Sequence, residues 1–395
     1  MDCKKNFKIS LSRDGEGVSR KSHKLQSLVR FQVPQPNMLY LILHPLKRPA
    51  EKQVDLLLAT LDMHGIEYTK CDVDAVPDGG TIITDCFLME TPCGDPGHNL
   101  TARILDHAAG RNMNIIFYYP SESYATLSAS FCPTAEALQA KDINGYLIKC
   151  GDWDIDGYVK NYNMPEFFAW IINNEFNRAR LNYTCNKIDT AVKTHKFLFL
   201  NGEYRDNRER FFEQVKTAGL LDSSIWSHRS GKSAEGFGPE QDWQDPFVHP
   251  DFRFYAYYPS HYYNTDISIV SETTQTEFFP TEKTYKSLML GHPFILYGGK
   301  HSLRKLQALG FETFSNAIDE SYDNADWPVE RADRVVQSML TATNPKSSVH
   351  NRQHFQTVAN SAYGHLLAIL KDIEPTIVTK ENFAVDSSLL KRYFL

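Results

Sequence analysis

Residues 266–299, DISIVSETTQTEFFPTEKTYKSLMLGHPFILYGG, admit few folds. Asp266 to Val270 is β-rich and apolar, and reads as a buried strand. Ser271 to Pro280 is polar and ends on a helix-starting signal. Thr281 is a good N-cap, Glu282 belongs in a first turn, and Tyr285, Leu288 and Met289 supply an apolar face. Gly291 and Pro293 stop the helix, and Phe294 to Tyr297 forms a second short strand. Parallel strands joined by a helix make a right-handed βαβ unit. Its first loop lies at the carboxyl end of the sheet, where open α/β folds bind ligands. Glu272, Glu282 and Lys283 beside a helix N-terminus suit a nucleotide-sugar, with phosphate on Lys283 and the helix amides and ribose hydroxyls on a carboxylate.

The rest of the chain repeats the alternation of strands and helices. MLYLIL (38–43), Tyr68 to Val73, Thr81 to Leu88, Asn114 to Tyr119 and Gly145 to Cys150 read as strands. Glu51 to His64 and Leu100 to Arg111 read as helices, and Met164 to Arg180 as one long helix. A second set follows: strand Phe197 to Leu200, helix Asn207 to Ala218, strand Ser224 to Ser227, then the central unit. Helices are expected at His301 to Leu309, Pro328 to Leu340 and Val349 to Lys371. No GxGxxG follows the first strand, and Gly231-Lys232-Ser233 lacks the first glycine of a P-loop. The organisation expected is a basic arm (1–30), a first Rossmann-like domain (31–190) and a second (191–395).

At 395 residues two domains are the natural count. A net charge of −6 argues against a body that binds polyanions all round, although the arm is basic. Seven scattered cysteines without a CxxC argue for a reducing compartment and against zinc or a disulfide frame. No apolar run approaches a membrane span and no signal peptide is legible, so the expectation is a cytoplasmic protein of a bacterium or of a virus-infected cell. Asp152, Asp154 and Asp156 in DWDID read as a strand-end turn rather than a metal site, and no metal is expected. The aromatic stretch 249–264 could stack a base or sugar or serve as core.

The stretch from Glu272 resembles the donor-binding motif of the alpha-1,3-fucosyltransferases, a glycosyltransferase family of GT-B fold. That motif runs Phe-Glu-Asn-Ser, six variable residues with an aromatic near their end, then Thr-Glu-Lys. Glu272, Phe279 and the triplet Thr281, Glu282 and Lys283 match it without a gap, while Thr273 stands where the family has Asn. Leu288, Gly291, Pro293 and Gly298 continue the match. Asn201, Arg208, Phe211 and Phe212 match the family's Asn, Arg and following aromatics, with Arg205 a competitor for the arginine role. The resemblance implies an α/β, GT-B architecture of two Rossmann-like domains facing across a cleft. It also implies an inverting, metal-independent transfer with no cofactor beyond a GDP- or UDP-linked sugar as co-substrate.

Inverting transfer needs a general base to take the acceptor hydroxyl's proton. The first domain offers Glu122 in YYPSES, which fits the family's aromatic strand and Glu-Ser pair, and Glu90 in METP. The acceptor could be a glycan or a hydroxylated base in DNA, as in phage DNA modification. The alternative is a non-catalytic nucleotide-sugar or glycan binding module on a transferase scaffold.

Overall fold

The computed structural model describes residues 38–43, 50–85, 96–120, 133–152, 154–155, 159–175, 178–201, 205–228, 259–377 and 379. Two parallel sheets organise them. The first has six strands in the order β2-β1-β3-β4-β5-β6: β1 (Leu39–Ile42), β2 (Tyr68–Lys70), β3 (Thr81–Thr84), β4 (Asn114–Tyr119), β5 (Asn144–Lys149) and β6 (Lys160–Asn163). The second has four, in the order β10-β9-β7-β8: β7 (His195–Asn201), β8 (Ser224–His228), β9 (Thr265–Ser271) and β10 (Phe294–Tyr297). Every strand pairing among the described residues is parallel. β1, β3 and β10 are buried along their length and β9 at every residue but Asp266, as strands covered on both faces must be.

The helices are α1 (Ala50–Met63), α2 (Pro96–Ala108), α3 (133–140), α4 (Phe167–Glu175), α5 (Arg178–Thr190), α6 (Asp206–Thr217), α7 (Pro259–Tyr263), α8 (Glu282–Leu290), α9 (Ser302–Ala308), α10 (Pro328–Thr341) and α11 (Val349–Ile373). The fold class expected from the alternating pattern, α/β with two parallel sheets, is the one observed. Two details differ. The stretch expected as one helix from Met164 to Arg180 is two, α4 and α5. The second strand stops at Lys70, and a single 3-10 turn spans Val73–Ala75. β6, KNYN, carries no apolar alternation because it is an edge strand paired only with β5.

One core cluster lies on the outer face of the first sheet, around Ile82, Ile104, Ile115 and Leu138. The larger cluster runs from the first sheet's other face, through α1 and α4, to both faces of the second sheet and the last two helices. α11 is the crossing element. It packs on α8, α4 and α1. Its C-terminal end reaches the first sheet: Asp372 ion-pairs with Lys160 at 2.6 Å, and Glu374 accepts a hydrogen bond from Thr81 at 3.0 Å. No helix among the described residues is long and apolar enough to cross a membrane.

Candidate nucleotide-sugar site

The β9–α8 unit forms as its sequence requires. Thr281 caps α8, accepting from the Lys283 amide, and Gly291 ends it in the left-handed region at φ 59°. A side chain at Gly291 would meet the Ser348 carbonyl at 2.2 Å, so glycine is needed there twice over.

Glu272 follows directly on β9 and is 2% exposed. Its Oε1 accepts from the Thr281 amide at 2.9 Å and from the Thr284 hydroxyl at 2.6 Å; its Oε2 accepts from the Thr281 hydroxyl at 2.6 Å. A buried carboxylate with three such donors is well satisfied, and it locks the first turn of α8 to the strand. Of the two carboxylates that could meet ribose hydroxyls, Glu272 is thus turned inward in this structure.

Lys283 is the cation of the unit and stays a quarter exposed. Its Nζ lies 2.9 Å from Glu282 Oε1, 3.0 Å from the Thr281 hydroxyl, 3.5 Å from the Thr273 hydroxyl and 3.9 Å from Glu272 Oε2. Thr273, at the position where the resembled family has Asn, therefore offers a hydroxyl to this lysine. Burial raises the Glu282 carboxyl, but Lys283 and Lys286 outweigh it and hold it at about 2. Burial also draws Lys286 down to about 8.

Arg208 comes from the first turn of α6 and is buried. Its Nε donates to the Glu272 carbonyl at 3.3 Å. The two sequence segments that carry the resemblance thus meet in space, at the carboxyl edge of the second sheet. Arg205 sits at the exposed N-cap of α6 and offers its helix no side-chain cap. Asn201, the last residue of β7, is 2% exposed, and among the described residues neither its Oδ1 nor its Nδ2 has a hydrogen-bond partner.

The loop between Glu272 and Thr281 is held on all sides. Gln275 donates to the Glu272 carbonyl at 2.9 Å. Arg331 of α10, 1% exposed, donates to the carbonyls of Gln275 and Gly298 at 2.8 Å each, and to Ala325 at 2.7 Å. Gly299 passes so near the Glu277 carbonyl that a Cβ would sit 2.0 Å from it. On the far side the loop touches the segment that follows β5. Asp152 accepts from the Phe278 amide at 2.7 Å and pairs with Lys305, and its own amide donates to the Phe278 carbonyl. Phe279 is buried edge-on against Phe168 of α4, at 5.8 Å, so its ring packs between elements. Carboxyl-end loops of the two sheets therefore meet at Asp152 and Phe278.

Lys149, the last residue of β5, is almost wholly buried beside this contact. It donates to the Gly151 carbonyl and pairs with Asp154 at 3.3 Å, and burial lowers its pKa. Two of the DWDID aspartates thus serve structural pairs; Asp156 lies outside the described residues. So do Glu122, Glu90, the arm 1–30, Gly231-Lys232-Ser233 and 249–258 of the aromatic stretch.

The sequence reading passed over three groups. Arg331 falls on the apolar stripe of α10 with Val335 and Ser338, and a charge in such a stripe is a usable signal. His228 and Ser271 end strands at the carboxyl edge of the second sheet, but nothing in their neighbours distinguishes them. His228, 5% exposed, stacks flat on Phe212 at 3.8 Å and bonds Glu209 Oε2 through Nε2 at 3.0 Å.

No family model matches this chain, and no curated protein does. Among solved structures it is similar to a crystal structure of alpha1,3-fucosyltransferase, with a TM-score of 0.41 and 11% identity over 86% of this chain and 91% of that one. It is also similar to a crystal structure of alpha1,3-fucosyltransferase with GDP-fucose, with a TM-score of 0.40 and 10% identity over 90% of this chain and 96% of that one.

Proposed function

We propose that this chain is a GT-B glycosyltransferase. It moves a sugar from a GDP- or UDP-linked donor to an acceptor hydroxyl, with inversion and without a metal. The reading rests on one observation above all. The buried contact between Arg208 and the Glu272 carbonyl brings two motif segments, 64 residues apart, to one sheet edge beside Lys283 and two helix N-termini. Cations and helix amides gathered at such an edge suit a diphosphate, which carries the leaving charge in sugar transfer.

In this mechanism residues 191–395 hold the donor and residues 31–190 hold the acceptor, facing each other across a cleft. Lys283 and Arg208 steady the diphosphate as the glycosidic bond to it breaks. Glu122 or Glu90 takes the proton of the attacking hydroxyl from the opposite side. Glu272 acts by positioning: it fixes the turn that carries Lys283.

The acceptor is a glycan or a hydroxylated base in DNA, the latter favoured by the basic arm. The test incubates the chain with GDP-fucose and with UDP-glucose, against an oligosaccharide mixture and against hydroxymethylated DNA. Mass spectrometry reads the acceptor and chromatography the released nucleotide. One acceptor gaining a hexose or deoxyhexose, with stoichiometric nucleotide release, supports the reading. Nucleotide-sugar binding without transfer to any acceptor supports the non-catalytic binding module instead. If DNA is the acceptor, its binding weakens steeply with salt.

A further inference from the structure

We propose that Ser271, Asn201 and His228 form a subsite for the hydroxyl groups of the sugar that the nucleotide carries. The proposal rests on the nucleotide-sugar reading above and assigns one part of that site.

The three residues end adjacent parallel strands and stand in register. Asn201 pairs with His228, and Ser271 with Tyr297. Asn201 and Ser271 lie two residues beyond the Phe199–Ile269 pair of β7 and β9. Residues in register on parallel strands point to the same face. That face is the one under α6, because His228 stacks on Phe212 and Tyr297 packs on Phe211 at 4.6 Å. One row of side chains thus crosses the sheet beneath the start of α6.

The row is polar and buried. Among the described residues, Ser271 Oγ, Asn201 Oδ1 and Nδ2, and His228 Nδ1 have no hydrogen-bond partner. Buried polar atoms are paired as a rule, and four orphans in one row point to an occupant that supplies their partners.

The chemistry of the row selects that occupant. A carboxylate accepts only, so the bond to Glu209 makes His228 Nε2 the donor. Asn201 adds one acceptor and one pair of donors, and Ser271 adds a hydroxyl that does both. The row therefore offers both donors and acceptors, whereas an anion asks for donors alone. Charge runs along it as well. Arg208 bonds the Glu272 carbonyl beside Ser271, and Glu209 stands behind His228. Phosphate is drawn to the Arg208 end and disfavoured at the Glu209 end. A pyranose joined to that phosphate presents neighbouring hydroxyls, each both donor and acceptor, along the remaining row.

The test is titration calorimetry on the full chain with GDP, GDP-fucose, UDP and UDP-glucose, for wild type and for Ser271→Ala, Asn201→Ala and His228→Phe, with a melting curve for each. The expected result is that bare nucleotide binds each variant within about threefold of wild type, while the sugar-bearing form loses about tenfold or more. Ser271→Ala is expected to melt at or above wild type, since it removes a buried group without a partner. A purely structural row gives the reverse, a lower melting temperature with no change in the ratio of the two affinities. An unchanged ratio, or equal weakening of bare and sugar-bearing nucleotide, overturns the subsite while leaving the nucleotide-sugar reading intact. A folded wild type that binds none of the four ligands overturns that reading, and the subsite with it.

Discussion

α8 and α6 both start at the carboxyl edge of the second sheet, α8 after β9 and α6 after β7, and their first turns are served in opposite ways. The α8 start is closed by its own chain: Thr281 caps it, and Glu272 takes three donors from Thr281 and Thr284. The α6 start has no side-chain bond from its N-cap residue, Arg205. Beneath it lie Asn201, Ser271 and His228, with polar atoms that no described residue matches. The conspicuous sequence motif thus includes a built-in bracket, while the open chemistry collects at the less conspicuous helix. The bracket has a purpose in this account. It holds Lys283 in place, and its backbone meets Arg208 from α6, so one rigid turn serves both helix starts.

This contrast can be broken by substitution, with effects of different size and sign. Glu272→Ala has the largest. It strands the Thr281 amide and two buried hydroxyls, and is expected to cost about 3 kcal/mol or more by urea unfolding. Loss of less than about 1 kcal/mol would show that the bracket is not what holds α8. Thr281→Ala removes the cap and one of the Glu272 donors, for about 1–2 kcal/mol in the same measurement.

Acid then probes the charge cluster on the closed helix. The Glu282 carboxyl is held at about 2, below its ordinary 4.5, so its contribution to stability is fully present above pH 4.5 and is lost as pH falls from 4.5 toward 2. Glu282→Gln is expected to flatten that limb of the stability–pH curve. An unchanged limb would mean that Lys283 and Lys286 do not hold the carboxylate. On the open side the sign reverses: Ser271→Ala is expected to leave stability unchanged or to raise it by up to about 1 kcal/mol.

Much of the closed helix start was legible because local chemistry dictates it. Thr281 as cap, Gly291 as left-handed stop and the two strands on either side follow from residue type and spacing. The last helix was legible as a helix, but its crossing back to the first sheet was not, since it rests on Lys160–Asp372 and Thr81–Glu374, pairs far apart in sequence. The inward turn of Glu272 was not legible, since a loop glutamate reads the same whether it faces a ligand or Thr284. Phe279 was similar: its ring meets Phe168 from another sheet's helix, a contact that no local pattern encodes. The polar row was least legible. It exists only through the register of three strands far apart in sequence, and a serine, an asparagine and a histidine each look ordinary alone.

The central claim is that this edge of the second sheet binds a nucleotide through Lys283. Titration calorimetry of GDP and UDP into wild type and Lys283→Met, at low and high salt, tests it most directly. Lys283 is partly exposed, so its loss is expected to change unfolding free energy by less than about 1 kcal/mol. The account predicts that wild type binds one of the two nucleotides, more weakly as salt rises. It predicts that Lys283→Met binds that nucleotide about tenfold or more weakly, as loss of a charge-assisted bond requires. A folded Lys283→Met protein that binds as wild type does, or a wild type that binds neither nucleotide, would contradict it.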